Sequence, residues 1–269
     1  MSSRERPATP LPEKQGAGAA ALVIGNELLT GKIREANVEV LARELFALGI
    51  AFRRVVFCPD EIAAIAADLD LLRASHDWVI TSGGVGPTHD DVTIEAVAAA
   101  FGRRLVRSER LAGLLGDYFG ERLNAEHLRM ADIPEGARLL DAPGAAWPLL
   151  LVDNVFVLPG LPEVFRYKMA ILRSFLAAEA KGRPWISRAF AIAADEGEIA
   201  APLRRVAERF PAVRIGSYPR GLGPAAQVTL TFDGREESLV ENAVAALHAA
   251  LPDLVLSAVP VRFPSPSGD

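Results

Sequence analysis

One stretch decides how this chain folds: Thr81-Ser82-Gly83-Gly84-Val85-Gly86-Pro87-Thr88-His89-Asp90-Asp91-Val92-Thr93. The largely apolar residues before it, 77–80, predict a buried strand, and apolar residues at helical spacing follow it from Ile94 to Phe101. The stretch is therefore predicted to be a glycine-rich loop between a strand and a helix. Such a loop lets a ligand approach the main chain, and the helix N-terminus after it favours an anion such as phosphate.

Two adjacent carboxylates, Asp90 and Asp91, lie where the anion is expected. A divalent cation that bridges carboxylate and phosphate would reconcile the two charges. Alternatively, Asp91 caps the following helix, which would stabilise the helix by about 1 kcal/mol. The residue pattern leaves both roles open for Asp91, and one side chain can fill both. His89 is predicted to be an exposed loop residue rather than a base.

The composition argues against several classes of function. The 269 residues are 50% hydrophobic and carry a net charge of −5, from 29 basic and 34 acidic side chains. This balance gives no electrostatic footprint for nucleic acid or for an anionic membrane surface. No apolar run reaches the roughly 20 residues that span a bilayer. The charge balance is compatible with a neutral or phosphorylated small molecule bound in a local pocket. The single cysteine, Cys58, excludes an intramolecular disulfide, so we expect a cytoplasmic protein.

Strands and helices alternate on both sides of the central stretch. Strands are predicted at 19–24, 52–57 and 77–80, and an amphipathic helix follows each of them, which favours an α/β fold with a mostly parallel sheet. A hairpin is predicted at 149–158. Between these segments we expect helices near 111–119 and 122–130 and a turn at 133–137.

Two domains are predicted. The α/β domain spans 19–180, and 181–184 form a linker. Residues 185–262 have the pattern βαββα, with an optional last strand at 254–261, which predicts a small α+β domain. The remaining residues, 1–18 and 263–269, are predicted to be tails, the first of them disordered.

Ligands of open parallel sheets bind beyond the carboxyl ends of the strands. Four predicted loops lie at such ends: 25–31, 59–61, the glycine-rich loop and 159–163. The acidic side chains of these loops offer oxygen ligands, which suit Mg²⁺ or Mn²⁺. Each loop also has a purely structural interpretation, because Asn26-Glu27 and Asp60 would each start a helix and Pro159-Gly160 would form a turn. The functional prediction therefore depends on the convergence of the loops. The glycines match neither a Walker A loop nor a Rossmann fingerprint.

Together these loops resemble the signature of the MoaB/Mog-like molybdopterin-binding domain family, in its CinA-type branch. The resemblance rests on the central stretch with its Pro-Thr-x-Asp-Asp-x-Thr ending, and on segments 24–31, 59–61 and 158–163 in the same order. It covers about residues 18–180 and implies a three-layer α/β/α domain. The following region is similar to the small α+β domain of many CinA-type proteins. The amidohydrolase domain that CinA proteins often carry is not expected here.

The resemblance implies a phosphorylated pterin, such as molybdopterin, or a nucleotide as the ligand. In CinA-type proteins this domain is associated with pyrophosphate cleavage of ADP-ribose, and in eukaryotic FAD synthases a related domain is associated with FAD hydrolysis. Both activities need a divalent metal, which predicts Mg²⁺, Mn²⁺ or Co²⁺ as the cofactor. Relatives form dimers or trimers, so a homo-oligomer is expected.

Positions carried over from the family assign the candidate site residues. Asp60, Asp90 and Asp91 are the predicted catalytic and metal-binding carboxylates. The predicted substrate- and phosphate-binding residues are Gly25, Asn26, Glu27, Gly83, Gly84, Gly86, Pro87, Thr88, Thr93, Pro159 and Gly160.

One segment departs from the family pattern. Where an Asn-x-x-Gly-Thr-Ala-Pro-Gly loop is usual, residues 141–148 read Asp-Ala-Pro-Gly-Ala-Ala-Trp-Pro. Trp147 would stack on a base, close the pocket or simply pack within its loop. The leading hypothesis is a metal-dependent hydrolase of a nucleotide pyrophosphate. The alternatives are a non-catalytic binding module for molybdopterin or a nucleotide, and molybdopterin adenylylation in molybdenum cofactor biosynthesis.

Overall fold

The computed structural model describes residues 18–179, 184–220 and 227–261. The chain divides into two compact units, with the boundary between residues 182 and 183. The predicted tails lie outside the described residues, except that Gly18 begins the first strand. Most of the predicted linker, 181–183, also lies outside them.

A six-stranded sheet with helices on both faces forms the first unit. Its elements are β1 (Gly18–Ile24), α1 (Asn26–Leu29), α2 (Asn37–Ala47), β2 (Ala51–Cys58), α3 (Ile62–Ser75), β3 (Trp78–Ser82), α4 (Thr93–Ala100), β4 (Leu105–Arg107), α5 (Glu109–Phe119), α6 (Ala125–Arg129), β5 (Asp132–Pro134), β6 (Arg138–Leu140), β7 (Leu149–Val152), β8 (Val155–Leu158) and α7 (Pro162–Glu179). The strand order is β2-β1-β3-β8-β7-β6. The first four strands are parallel to one another, and β7 is antiparallel to both of its neighbours, β8 and β6, so the predicted mostly parallel sheet is confirmed.

Each face of this sheet has its own apolar core. Every residue of β1 is buried, which explains why its sequence is apolar throughout rather than alternating. Leu41 of α2 and Phe165 of α7 pack against one face, and Leu69 of α3 and Val97 of α4 pack against the other. The three-layer α/β/α architecture follows from these two cores.

The irregular segment after α4 differs from the prediction in two places. The predicted turn at 133–137 begins within a strand, because β5 pairs with β4 in a separate antiparallel sheet. The helix predicted at 122–130 is shorter, because Asn124 caps α6: its Oδ1 accepts a hydrogen bond from the amide of His127 at 3.0 Å. The hairpin of β7 and β8 forms as predicted, with Asp153 at a φ of +48° in the turn.

An antiparallel sheet and two helices form the second unit. Its elements are β9 (Ile186–Ile192), α8 (Glu196–Arg209), β10 (Arg214–Arg220), β11 (Gln227–Gly234), α9 (Glu237–Ala250) and β12 (Ser257–Val259). The strand order is β10-β11-β9-β12, so the optional last strand is present. Phe232, Val240 and Leu247 are fully buried in its core. Among the described residues of both units, no helix has the length and apolar character needed to cross a bilayer.

Candidate functional site

Four loops surround one cavity of about 930 Å³. They follow β1, β2, β3 and β8, which are parallel and therefore end at the same edge of the sheet. The first to fourth loops contribute Glu27, Asp60, Gly84 and Gly160, respectively, to the lining. The predicted convergence of the loops is confirmed.

The glycine-rich loop crosses the end of β1 in a path that only glycine allows. Gly83 has a φ of +115°, and a Cβ there would lie 2.1 Å from the carbonyl oxygen of Ile24. Gly84 has a φ of +64°, and a Cβ there would lie 2.4 Å from Oγ1 of Thr93. The backbone itself therefore forms the floor of the cavity.

Three consecutive amides of this loop are available to a ligand. Within the described part of the chain, the N–H groups of Gly84, Val85 and Gly86 have no protein acceptor. The amides on either side are engaged, because Gly83 donates to the carbonyl of Leu158 at 3.1 Å and Thr88 donates to Asp91 at 2.9 Å. All three residues line the cavity. Successive free amides in a glycine turn form a concave site for an anion.

The fourth loop packs directly against this floor. A Cβ on Gly160 would lie 3.2 Å from the Cα of Gly83. Asn37, at the start of α2, fixes the contact, since its Nδ2 donates to the Gly160 carbonyl at 2.8 Å and to Oγ of Ser82 at 3.0 Å. Pro159 also lines the cavity.

Asp90 and Asp91 share the hydroxyl of Thr88. Oγ1 of Thr88 lies 2.6 Å from Oδ1 of Asp90 and 2.5 Å from Oδ2 of Asp91. One hydroxyl donates one proton, so it can satisfy only one of these carboxylate oxygens at a time. The hydrogen bond from Thr88 is the main reason that the pKa of Asp90 is lowered. Both carboxylates line the cavity together with Thr88 and Pro87.

The helix-cap alternative for Asp91 is wrong. Residue 92 is the N-cap of α4 and makes no side-chain capping bond. The carboxylate of Asp91 instead turns back to the amide and hydroxyl of Thr88. His89 is exposed, with 97% of its side-chain surface accessible, as predicted.

Asp60 links the second loop to the first. Its Oδ2 accepts a hydrogen bond from the amide of Asn26 at 2.7 Å, and the N-cap position of α3 belongs to Glu61. Asn26 and Glu27 do begin the short helix α1, as their structural interpretation proposed. Glu27 lines the cavity, whereas Gly25 and Asn26 lie outside its lining.

Thr93 also lies outside the lining. Its side chain is fully buried, and its Oγ1 donates to the carbonyl of Gly83 at 2.9 Å. Its amide donates to the carbonyl of Gly84 at 3.0 Å. These two hydrogen bonds from Thr93 therefore fix the backbone of the glycine-rich loop.

The thiol at the end of β2 is not available as a nucleophile. Cys58 is buried, and burial, with smaller contributions from Asp68, Asp60 and Glu61, raises the pKa of the thiol to about 12. Because the thiolate is the reactive form, Cys58 stays inert at neutral pH.

The carboxylates do not form a ready-made metal cage. In the described ranges, no group of three or more His, Cys, Asp and Glu side chains is arranged to hold a metal ion. Asp90 and Asp91 do come together, whereas one oxygen of Asp60 is engaged by Asn26. Mg²⁺ commonly uses one or two carboxylates and takes its other ligands from water and substrate phosphate. Asp90 and Asp91, which share the hydroxyl of Thr88, fit such a site with two protein carboxylates.

Three further residues that line the cavity were not identified from the sequence. Arg34, between α1 and α2, is an exposed residue that lines the cavity. Phe119 and His127 line it from α5 and α6, with ring centroids 3.7 Å apart and ring planes 7° from parallel. Arg34 could have been proposed from the sequence, because basic residues follow the first loop. No sequence signal placed α5 and α6 beside the glycine loop.

The segment that departs from the family pattern lies beside a second cavity. Trp147 and Pro148 line this cavity of about 600 Å³ and do not line the first one. Of the roles considered for Trp147, closing the glycine-loop cavity is therefore excluded.

Comparison with known families identifies the first unit. Residues 20–179 match the family described as probable molybdopterin binding domain. The chain belongs to this family. Residues 184–259 match a second family, described as FAD synthase, middle domain.

Several relatives of this molybdopterin-binding family member align with most of its length. This chain is 34% identical over 247 residues to a protein of Thermococcus kodakarensis, and the alignment covers 86% of this chain and 96% of the relative. It is 28% identical over 270 residues to a probable FAD synthase of Caenorhabditis briggsae, covering 91% of this chain. The chain spans about half of that FAD synthase, 51% of its length.

The solved structure of a CinA protein of unknown function from Thermoplasma acidophilum is also similar. It superposes with a TM-score of 0.55 at 27% identity, covering 61% of this chain and 98% of that protein. The molybdopterin-binding domain is thus of the CinA type, as the sequence signature indicated.

Proposed function

We propose that this chain hydrolyses the pyrophosphate bond of a nucleotide of the ADP-ribose or FAD class, with a divalent metal ion as cofactor. The proposal is carried by one observation: the amides of 84–86, which have no acceptor within the described chain, share a cavity with the pair Asp90 and Asp91. The family match of the second unit and the likeness to probable FAD synthases support a nucleotide as substrate.

Each group of residues has a defined part in this reaction. The amides of 84–86 hold oxygens of one phosphate and stabilise the charge that develops on it. Arg34, which lines the cavity, compensates the charge of the other phosphate. Water attacks one phosphorus, the bridging P–O bond breaks, and the second phosphate leaves with the electron pair. Asp60, whose second oxygen has no protein donor among the described residues, accepts the proton of the attacking water.

Asp90 and Asp91 would hold the metal ion. When bound, a Mg²⁺, Mn²⁺ or Co²⁺ ion would neutralise charge on the pyrophosphate and lower the pKa of a nearby water. Thr88 holds both carboxylates close to its own side chain, because its hydroxyl lies within hydrogen-bond distance of each and its amide also donates to Asp91.

A hydrolysis screen tests the proposal. ADP-ribose, FAD, NAD and coenzyme A would each be incubated with the full chain and Mg²⁺, Mn²⁺ or Co²⁺, and products would be separated by chromatography. We expect turnover of at least one compound, its loss with EDTA, and a fall of at least about 100-fold in kcat for Asp91→Asn and Asp60→Asn.

Two neighbouring residues supply matched controls. Glu61→Gln removes a carboxylate adjacent to Asp60 that does not line the cavity, and His89→Ala removes an exposed side chain adjacent to Asp90. Both controls should keep kcat within about twofold. Turnover that survives Asp91→Asn unchanged would contradict the proposed site.

The second candidate function is a non-catalytic module that binds molybdopterin or a nucleotide. It is favoured by the lack of a three-residue metal group in the described ranges. Tight binding of a nucleotide with no turnover under any metal would support this alternative. Molybdopterin adenylylation is a third candidate, which formation of an adenylylated product from ATP would reveal.

We further propose that the protein acts as a homo-oligomer in the cytoplasm. Leu29, Ile33 and Leu161 are large, exposed apolar side chains on the loops of the site. A partner copy would cover them, since such side chains are favourably removed from water. Light scattering of the full chain would report the oligomeric state, and Ile33→Glu should shift it toward the monomer.

A further inference from the structure

The second cavity opens beside the phosphate cavity and differs from it in chemistry. Its volume is about 600 Å³, within the range that accommodates a nucleotide-sized ligand. The two cavities have part of their walls in common, formed by Val85, Phe119, Met130, Pro159 and Val164. The second cavity is therefore the immediate neighbour of the phosphate cavity.

Aromatic rings run from one cavity to the other. Trp147 packs edge-to-face on Tyr118, with centroids 5.9 Å apart, and Tyr118 packs in the same way on Phe119 at 4.9 Å. Phe119 in turn stacks on His127, which lines the phosphate cavity. Aromatic walls of this kind bind planar rings by stacking and by burial of apolar surface.

The segment 141–148 is fixed in place as part of this wall. At one end, both carboxylate oxygens of Asp141 accept hydrogen bonds from Arg110 of α5. At the other end, the amide of Trp147 donates to Oη of Tyr167 at 3.3 Å, and Nζ of Lys168 donates to the carbonyl of Pro148. The tryptophan is therefore held against the cavity by contacts with two helices.

Lys168 gives the apolar cavity a hydrogen-bond donor. Its ammonium is partly buried among the lining residues, and burial lowers the pKa of Lys168 to about 8. An ammonium has three protons and no lone pair, so it recognises acceptors only. One proton is directed at Pro148, which leaves others for a ligand.

We propose that the second cavity is the ring subsite of this protein and binds the planar heteroaromatic ring of the ligand. In this assignment Trp147 packs on the ring, and Lys168 donates to a carbonyl oxygen of it. The assignment deepens the proposed function, on which it rests for the phosphate position. It names the substrate class as a phosphate ester or anhydride of an oxo-substituted aromatic heterocycle.

Binding of compounds that lack a pyrophosphate bond or lack a ring tests the subsite. The full chain would be titrated calorimetrically with flavin mononucleotide, which has ring and phosphate, and with inorganic pyrophosphate, which has no ring. Trp147→Ala should weaken flavin mononucleotide binding by roughly tenfold or more and leave pyrophosphate binding within about twofold. Trp147→Phe should recover most of the lost affinity. Trp185→Ala, which alters a tryptophan outside both cavities, should change neither.

The role of Lys168 is tested by comparing two rings. Lys168→Met should weaken flavin mononucleotide binding by about tenfold and leave adenosine monophosphate, whose ring has no carbonyl group, within about twofold. Lys168→Gln, which keeps a donor, should recover part of the lost affinity. Equal losses for both nucleotides would overturn the assigned role of Lys168.

The outcomes separate the ring subsite from the hydrolase proposal. Equal weakening of flavin mononucleotide and pyrophosphate by Trp147→Ala, or no weakening of either, would overturn the ring subsite. The selective loss together with no turnover of any pyrophosphate would retain the subsite and reject hydrolysis. Turnover of ADP-ribose without the selective loss would retain the hydrolase proposal and reject the ring subsite.

Discussion

At the scale of single residues, two glycines of the same loop have different tasks. Gly83 lies against the backbone of Ile24, which cannot move, whereas a Cβ on Gly86 would meet a carboxylate oxygen of Asp91 at 2.6 Å. The end of a flexible side chain can shift, and a strand carbonyl cannot. Substitutions at the two positions should therefore separate folding from ligand binding.

We expect Gly83→Ala to lower the free energy of unfolding by roughly 2–4 kcal/mol, because it adds a backbone clash at a positive φ. Gly86→Ala should change that free energy by less than about 1 kcal/mol and weaken pyrophosphate binding, because it displaces Asp91. Urea unfolding and calorimetric titration would measure the two quantities. Similar stability losses for both variants would contradict the assignment.

Lys168 should make the stability of the first unit depend on pH. Burial lowers its pKa from 10.5 to about 8 in the folded protein, so the unfolded chain binds more protons between these values. Stability therefore rises with pH across this window, as the buried charge is lost. Lys168→Met should be more favourable relative to the wild type at pH 7 than at pH 10. Urea unfolding of both proteins at each pH would show this, and an equal difference at both would contradict it.

At the scale of elements, Asn37 joins α2, the end of β3 and the loop after β8. Asn37→Ala removes two hydrogen bonds and should lower the free energy of unfolding by about 2 kcal/mol. It should also weaken pyrophosphate binding, because the fourth loop is released from the glycine floor.

Asn154 provides the matched control for that prediction. It lies in the turn before β8, at the opposite edge of the sheet, and donates to the carbonyls of Arg73 and His76, each at 3.1 Å. Asn154→Ala should lower stability by a similar amount and leave pyrophosphate binding within about twofold. Thermal unfolding and calorimetric titration of the two variants would be compared. Equal losses of binding would show that Asn37 acts through stability alone.

The elements were largely predictable, whereas the inner contacts of the site were not. Strands buried within a parallel sheet have short, continuously apolar sequences, which is why β1 and its neighbours could be located from the sequence. The path of the loop determines that Asp91 turns to Thr88 rather than to the helix, and local spacing does not encode that path. Similarly, His127 and Trp147 reach the cavities only through the packing of α5, α6 and α7.

At the scale of the whole molecule, each unit has its own core. Phe232 is fully buried in the second unit and packs edge-to-face on Phe190. Phe232→Ala should lower the stability of that core by about 3–5 kcal/mol. Hydrogen exchange followed by mass spectrometry should show faster exchange in peptides from 186–259 and unchanged exchange in β1 and β3. Faster exchange throughout the chain would show that the two cores unfold together.

The contact between Gly83 and Gly160 has a consequence for how this protein could change its substrate. The phosphate site is made of main chain from two loops packed together, and Gly83 and Gly160 leave no room there for a larger residue. The segment 141–148 is built separately and held by side-chain contacts to α5 and α7. The phosphate-binding loops and the ring-binding segment 141–148 are thus independent parts of the molecule. Exchanging the 141–148 segment between homologues should transfer the preference for a ring while phosphate binding is retained.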